Sequence, residues 1–264
     1  MAAGAQVTAW RPAVSGVTEV FHARFVDHVY PMHTHEAWTL LLIDAGAVRY
    51  DLDGHEHAAL DSEVTLLPPH VPHDGQAATP YGFRKRVLYL EPALLGEDLI
   101  GAAVDRPEMA DAVLRQRISQ LHGALARPGE ELEAESRLAL IRDRLRWHLA
   151  RRGAGSGRAA QADPALADRF RALLDARAPL GVSLSEASRV LASHPAHLVR
   201  VFSREHGIPP HRYLTGRRVD LARRLLLDGR PPADVATAAG FYDQSHLTRH
   251  FTRMLGVSPA RYTR

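Results

Sequence analysis

The sequence predicts an α+β chain in parts: a β-barrel or sandwich followed by a helical pair, then an all-α region. Three observations predict it. Short apolar stretches alternate with turn residues from Val17 to about Tyr89, the spacing becomes helical after Pro92, and the last third carries a duplicated unit. At 264 residues the chain has room for two domains of ordinary size. Its 45% hydrophobic and 24% charged residues give a globular composition and exclude wholesale disorder or a fibrous repeat.

The first strands are expected over residues 17–29, 38–43, 47–52, 64–67 and 86–90. Turn signals separate them. Asp44-Ala45-Gly46 and Pro68-Pro69 are two of these, and Asp53-Gly54 between Tyr50 and His57 predicts a hairpin. Strands this short and closely spaced suit a small barrel or sandwich. Two helices follow, one with Met109, Val113, Arg117 and Leu121 in register, the next with Leu132, Leu138, Ile141, Leu145 and Leu149. Arg127-Pro128-Gly129 divides them into an antiparallel pair. The apolar stripe of the second suits either self-association or packing against its own barrel. Residues 152–158 contain three glycines and a serine and no large apolar side chain, a linker composition. The expected domains are therefore 1–152, a linker at 153–162, and 163–264.

Within the last part, residues recur at one constant offset of 49. Ala187, Leu198, Arg200, Phe202, Arg204, Gly207, Pro210 and Tyr213 match Ala236, Leu247, Arg249, Phe251, Arg253, Gly256, Pro259 and Tyr262. Each unit reads as a short helix, a tight turn and a longer helix. Ser183 with Glu186 forms a capping box in the first, while Gly240 ends a helix and Asp243 caps the next in the second. Leu198 with Phe202, and Leu247 with Phe251, stand four apart and bury together, which turns Arg200 and Arg249 elsewhere. Both units are helix-turn-helix candidates. The N-terminal part of such a second helix reads base edges in the major groove. This assigns Ala196, Val199 and Arg200 in the first unit, and Gln244, Ser245 and Arg249 in the second, to base reading. Arg204 and Arg253, with Arg217, Arg218, Arg223 and Arg224, are expected at phosphates or in solvent, Arg223 and Arg224 on a solvated face of the connecting helix.

Charge supports a polyanionic partner. From Asp163 onward there are 16 arginines against 9 acidic residues, a balance of +7, whereas the first part has 17 basic against 21 acidic residues, a balance of −4. A solvated surface explains the same count. The absence of cysteine excludes disulfides, thiolate metal sites and cysteine nucleophiles, so any metal must use His, Asp or Glu. No apolar run approaches the roughly 20 residues of a membrane span, and no leader pattern opens the chain, so a cytoplasmic protein without a membrane partner is expected.

The stretch from Ala236 to Tyr262, with its alanine-rich helix, Gly-Phe turn, Leu- and Phe-bearing helix and Gly-x-x-Pro-x-x-Tyr ending, resembles the arabinose-regulator (AraC/XylS) family of bacterial transcription regulators. The resemblance covers roughly residues 164–264. It implies two helix-turn-helix subdomains joined by a long helix, here about 209–228, presenting two major-groove faces about 34 Å apart. His194 departs from the serine usual before the first proline. The resemblance also implies double-stranded DNA as partner, a small-molecule effector, a homodimer, and RNA polymerase as a further contact in an activator.

His33-Thr34-His35-Glu36 stands before one strand and Pro68-Pro69-His70-Val71-Pro72-His73 after another. Residues two apart on a strand share a face, so His33 and His35 can line one wall, with His73 from a neighbour. Three imidazoles suit a divalent metal such as Zn, Ni, Cu or Fe. The arrangement resembles the cupin barrel, a usual sensor domain in one branch of the same family, but Thr39 and Leu40 stand where that pattern has its glutamate. The candidate effector or metal pocket is His33, His35, His73, Glu36 and Trp38, with metal, polar lining of an organic-ligand pocket and plain surface histidines as alternatives. His55 and His57 are expected to be exposed beside their turn. The chain therefore reads as a ligand-responsive regulator rather than an enzyme. A metal-dependent cupin enzyme or metal sensor fused to a DNA-binding domain is the alternative. No Ser/His/Asp elbow or phosphate-cradling glycine loop occurs.

Overall fold

The computed structural model describes residues 5–127, 130–151 and 164–262, without the side chains of residues 132, 164 and 196. The expected linker at 153–162 lies outside the described residues. The N-terminal strands are β1 (Gln6–Trp10), β2 (Val17–Phe25), β3 (Val29–His33), β4 (Trp38–Ala45), β5 (Val48–Leu52), β6 (His55–Ala59), β7 (Val64–Leu67), β8 (His73–Ala77), β9 (Phe83–Leu90) and, after two short helices, β10 (Glu108–Met109). They form two open sheets, ordered β1-β2-β9-β4-β7-β10 and β3-β8-β5-β6. This is the cupin-like sandwich expected. Expected and observed strands agree best where apolar residues alternate or run on. Strands β1, β6 and β8 are more polar, and the expected 17–29 strand is broken by a bend at Val26-Asp27-His28 into β2 and β3. The β5–β6 turn has both Asp53 (φ +53°) and Gly54 (φ +82°) left-handed, as a hairpin with that pair requires.

Strand β4 explains how the sandwich is layered. Trp38, Leu40 and Leu42 are fully buried on one face among the helices, and Leu41 and Ile43 on the other, between the sheets. The helices on the outer face are α1 (Pro92–Leu95), α2 (Ile100–Asp105), α3 (Ala112–Leu125) and α4 (Glu131–Ala150). In α3 the buried stripe is Leu114, Ile118, Leu121 and Leu125 rather than Met109, Val113 and Arg117. Asp111 sets that phase. Its Oδ1 accepts the Leu114 amide at 3.0 Å and starts the helix at Ala112, leaving Met109 to pair in β10. Its other oxygen meets Arg144 and His148 of α4, each at 2.7 Å, and clamps the helical pair. Leu138, Ile141, Leu145 and Leu149 bury against the chain's own sheet, so packing within the domain uses the stripe.

The C-terminal helices are α5 (Pro164–Ala176), α6 (Leu184–Val190), α7 (Pro195–His206), α8 (Pro210–Leu227), α9 (Pro232–Ala238), α10 (Gln244–Leu255) and α11 (Pro259–Tyr262). Pairs α6–α7 and α9–α10 are the two helix-turn-helix units, and α8 joins them. Ser183 Oγ accepts the Glu186 amide at 3.1 Å and Asp243 accepts the His246 amide at 2.6 Å, the caps expected. The units differ in what they pack on. Phe202 of the first belongs to a local core with Phe170, Leu174 and Tyr213, whereas Phe251 of the second joins one core with Phe21, Phe25 and Tyr30 of the sandwich. At Gly256 (φ +76°) a Cβ would come within 2.4 Å of the Phe25 ring, so only glycine allows this approach.

Candidate functional site

The three histidines converge. His33 ends β3 and His73 begins β8, directly opposite each other across the ladder, while His35 follows two residues after His33. Their candidate ligand nitrogens lie within 4.8 Å of one another, and all three side chains are buried. Their orientation is fixed from behind. His33 Nδ1 donates to the Pro31 carbonyl at 2.6 Å, His73 Nδ1 to the Val71 carbonyl at 3.0 Å, and His35 Nδ1 to Asp220 Oδ1 at 3.3 Å. Burial, with mutual repulsion between neighbouring imidazoles, pushes His33 and His73 down to about 3, and burial pushes His35 to about 4 against the pull of Asp220. All three are neutral at pH 7.

They border a partly open cavity of about 50 Å³ that also touches Tyr30, Thr39, Lys85 and Leu255. At that size it holds roughly three to five waters. The Tyr30 hydroxyl and Thr39 Oγ1 are buried there with no hydrogen-bond partner among the described residues. Of the pocket expected from sequence, His33, His35 and His73 line this cavity, but Trp38 and Glu36 do not. Trp38 occupies an even position of β4, so it faces the helices, where its indole N–H donates to the Pro92 carbonyl at 3.3 Å. Glu36 turns to α8, pairing with Arg217 and, at 2.6 Å, Arg224. His57 is half-buried rather than exposed and meets Glu108 at 3.2 Å; His55 is exposed.

Lys85, the sole lysine, sits with Nζ 4.1 Å from the Tyr30 ring centre and no carboxylate partner among the described residues. Burial, and secondarily Arg223, lowers it to about 7. A lysine whose folded pKa lies below its unfolded value destabilises the fold fully below pH 7, and relief grows toward pH 10. Stability in urea should therefore rise by about 2 kcal/mol from pH 7 to pH 9.5, and Lys85→Met should flatten that rise. An equal slope in the variant would assign the effect to another group.

The halves meet in a buried charge network that sequence reasoning missed. Arg223 donates to Glu19 at 2.7 Å, to Asp220 at 3.2 Å and to the Tyr262 hydroxyl at 3.0 Å, and its guanidinium lies 4.0 Å from the Tyr89 ring centre. Tyr262 also donates to Glu19. Arg217 meets Asp175 at 2.9 Å and Asp220 at 3.5 Å. Burial works to raise the Asp220 carboxyl, but His35, Arg223 and Arg217 hold it well below the usual carboxylate range. Arg217 and Arg223 are thus buried interface residues rather than solvated ones, Arg218 donates to the Ala178 carbonyl at 2.8 Å, and Arg224 pairs with Glu36 while its side chain stays 42% exposed. Two signals were available. Arg217, Asp220 and Arg223 stand three apart on one helix, and Glu19 interrupts the apolar strand from Val17 to Phe25. A cleft lined by Glu36, His70, Arg223 and Arg224 shares His35 and Tyr89 with the cavity.

The helix faces expected to read DNA are open. Arg200 and Arg204 on α7, and Gln244, Ser245, Arg249 and Arg253 on α10, are exposed, and Val199 is half-buried. The Ala196 side chain lies outside the described residues. Leu198, Phe202, Leu247 and Phe251 are buried beneath them. Tyr242, in the turn before α10, is 91% exposed.

A sheet sandwich around a small cavity of mixed lining, joined to two helix-turn-helix units, defines a two-part protein with a sensor-like half and a helix-turn-helix half. The profile of the AraC-like ligand binding domain matches residues 15–141, and that of a helix-turn-helix domain matches residues 187–264. The chain belongs to the arabinose-regulator (AraC/XylS) family of transcription regulators. It is 35% identical over 82 residues to the probable transcriptional regulator LumQ of Photobacterium leiognathi, covering 31% of this chain and 33% of that one. It is 32% identical over 82 residues to the virulence regulon transcriptional activator VirF of Yersinia enterocolitica, covering 31% and 30%. These matches span about a third of each relative's length. ToxT from Vibrio cholerae O395 shares the fold over 97% of this chain and 96% of its own, with a TM-score of 0.59 at 12% identity. ToxT with an unsaturated fatty acid bound superposes with a TM-score of 0.57 at 11% identity.

Proposed function

We propose that the chain is a cytoplasmic regulator of transcription that binds double-stranded DNA through α7 and α10 and takes a small effector in the sandwich cavity. The observation that carries the reading is the pairing of two exposed arginine-bearing helix faces with a cavity that sets three buried histidines and Lys85 in an otherwise largely apolar wall and is touched by α10 itself, at Leu255. Occupancy of the cavity would bias the posture of α8 and α10 by its differential affinity for the docked and undocked arrangements. The effector is small. A cavity of about 50 Å³ is far below the several hundred Å³ that drug-sized ligands occupy, so a lipid like the one held by ToxT requires this sandwich to open. Chemistry at the cavity is recognition without turnover. Exposed Leu140 and Trp147 on α4 offer a face for a homodimer, and exposed Tyr242 one for RNA polymerase.

The test is base-specific. Arg249→Ala should weaken binding to a selected DNA site by about 1–3 kcal/mol and relax preference at one base pair, and Arg200→Ala should do so in the adjacent groove. Arg204→Ala should instead weaken all sequences alike and lower the salt slope by about 1. Unchanged binding in all three would remove α7 and α10 from the interface.

A further inference from the structure

The contacts behind the three histidines fix their tautomers. Carbonyl oxygens only accept, so the Nδ1 atoms of His33 and His73 must carry hydrogen to meet Pro31 and Val71. Asp220 is an acceptor too, already engaged by Arg223, so His35 Nδ1 carries hydrogen as well. Every Nε2 is then a bare lone pair. Yet His33 Nε2 and His35 Nε2 approach to 3.1 Å inside a buried space, an arrangement of two acceptors with no donor between them. A cation at the focus resolves it. Two imidazoles bound to one metal at about 2.0–2.1 Å, with angles between octahedral and tetrahedral, hold their nitrogens about 2.9–3.4 Å apart, which matches. The His73 nitrogen needs only to close from within 4.8 Å of the others.

We propose that His33, His35 and His73 bind a divalent first-row transition metal, and that Asp220, from the helix joining the two helix-turn-helix units, is the carboxylate that orients His35 for it. This deepens the regulator reading and rests on it only for the link to DNA. Neutral nitrogen ligands with no thiolate suit zinc, iron, cobalt, nickel or copper rather than calcium or magnesium. The cavity of about 50 Å³ leaves room for one or two further small ligands beside the ion, and the partnerless Tyr30 and Thr39 hydroxyls border it. A carboxylate behind a metal-bound histidine fixes its ring and raises its basicity, and losing such a partner weakens metal binding by 10–100-fold. Here that carboxylate comes from the other half of the molecule. It is shared with Arg223 and Arg217, which hold α8 against Glu19 and Glu36. Metal at the histidines therefore favours the docked posture of α8, and undocking weakens the metal by the same factor.

The experiment uses the full chain, stripped with chelator and titrated with cobalt(II) and zinc. One cobalt per chain by elemental mass spectrometry, with a visible spectrum of nitrogen-ligated cobalt, is expected. His33→Ala and the milder His73→Gln should lose the spectrum, each checked for folding by circular dichroism. Asp220→Asn should bind cobalt at least tenfold more weakly. Less than a tenth of an equivalent bound by the folded wild-type chain would overturn the site, and an unchanged affinity in Asp220→Asn would overturn the role of Asp220. DNA selected from a random pool by the same protein is then bound with and without zinc. At least a fivefold change in affinity, lost in Asp220→Asn, supports the coupling, and equal affinity with zinc bound overturns the coupling alone. A chain that takes up metal but selects no DNA in either state would sink the regulator reading and leave the metal site standing.

Discussion

Arg223→Met is expected to destabilise the docked molecule by about 3–5 kcal/mol, the usual cost of removing one partner from a buried ion pair. The reason is what stays behind. Glu19 and Asp220 are both below a tenth exposed; Glu19 loses the guanidinium it pairs with and Asp220 one of its two, Arg217 remaining at 3.5 Å, and both stay out of water. Tyr262 keeps its hydrogen bond to Glu19 but cannot neutralise it. The ring contact of the guanidinium with Tyr89 goes as well. The double variant Arg223→Met, Glu19→Gln should recover a large part of the loss, because a neutral amide can stay buried more cheaply than an unpaired carboxylate. Urea midpoints measure the magnitude, and hydrogen exchange locates it. Amides of β2 and α8 should lose protection together in the single variant. A cost below about 1 kcal/mol would mean that water already reaches this network.

That network marks the limit of what the sequence reveals. The repeat at offset 49 was legible by comparing the chain with itself, and the capping residues Ser183 and Asp243 and the burial of Leu247 with Phe251 were legible because each depends on spacing within one helix. The pairing of His33 with His73 was legible from two neighbouring strands, whereas His35 reaches the same cavity from the irregular segment after β3 and not by the strand alternation expected of it. Asp220 was not, since nothing in local spacing tells which helix will lie against the end of β3. Trp38 and Glu36 were misplaced because the parity of β4 fixes faces only once its start is known, and the chain between His33 and Trp38 does not keep strand alternation. The arginines of α8 illustrate the same limit for charge. The +7 balance of the last part points to DNA, yet Arg217, Arg223 and Arg224 of that balance face carboxylates within the molecule. Exposed Arg200, Arg204, Arg249 and Arg253 are what remains on α7 and α10 for the proposed contacts to phosphates and bases.

Phe202→Ala and Phe251→Ala test whether that asymmetry between the repeated units is real. Both side chains are fully buried at equivalent repeat positions, so each truncation should cost about 3–5 kcal/mol. Their consequences should differ. Phe202 stacks edge-on to Phe170 and Tyr213 at centroid distances of 5.3 and 5.4 Å, all within the first unit and its flanking helices. Phe251 meets Tyr262 at 5.1 Å, Tyr262 meets Phe21 of β2 at 6.2 Å, and the core runs on into the sandwich. Phe202→Ala should therefore open α5 to α7 while β2, α8 and α10 keep their hydrogen-exchange protection, and cobalt binding at the histidines should persist. Phe251→Ala should loosen α10, α11 and β2 in one step, and because Leu255 of α10 borders the histidine cavity, cobalt binding should weaken with it. If the two variants instead lost protection over the same segments, the two cores would be one cooperative unit, and the first reading helix could not move without the sensor half.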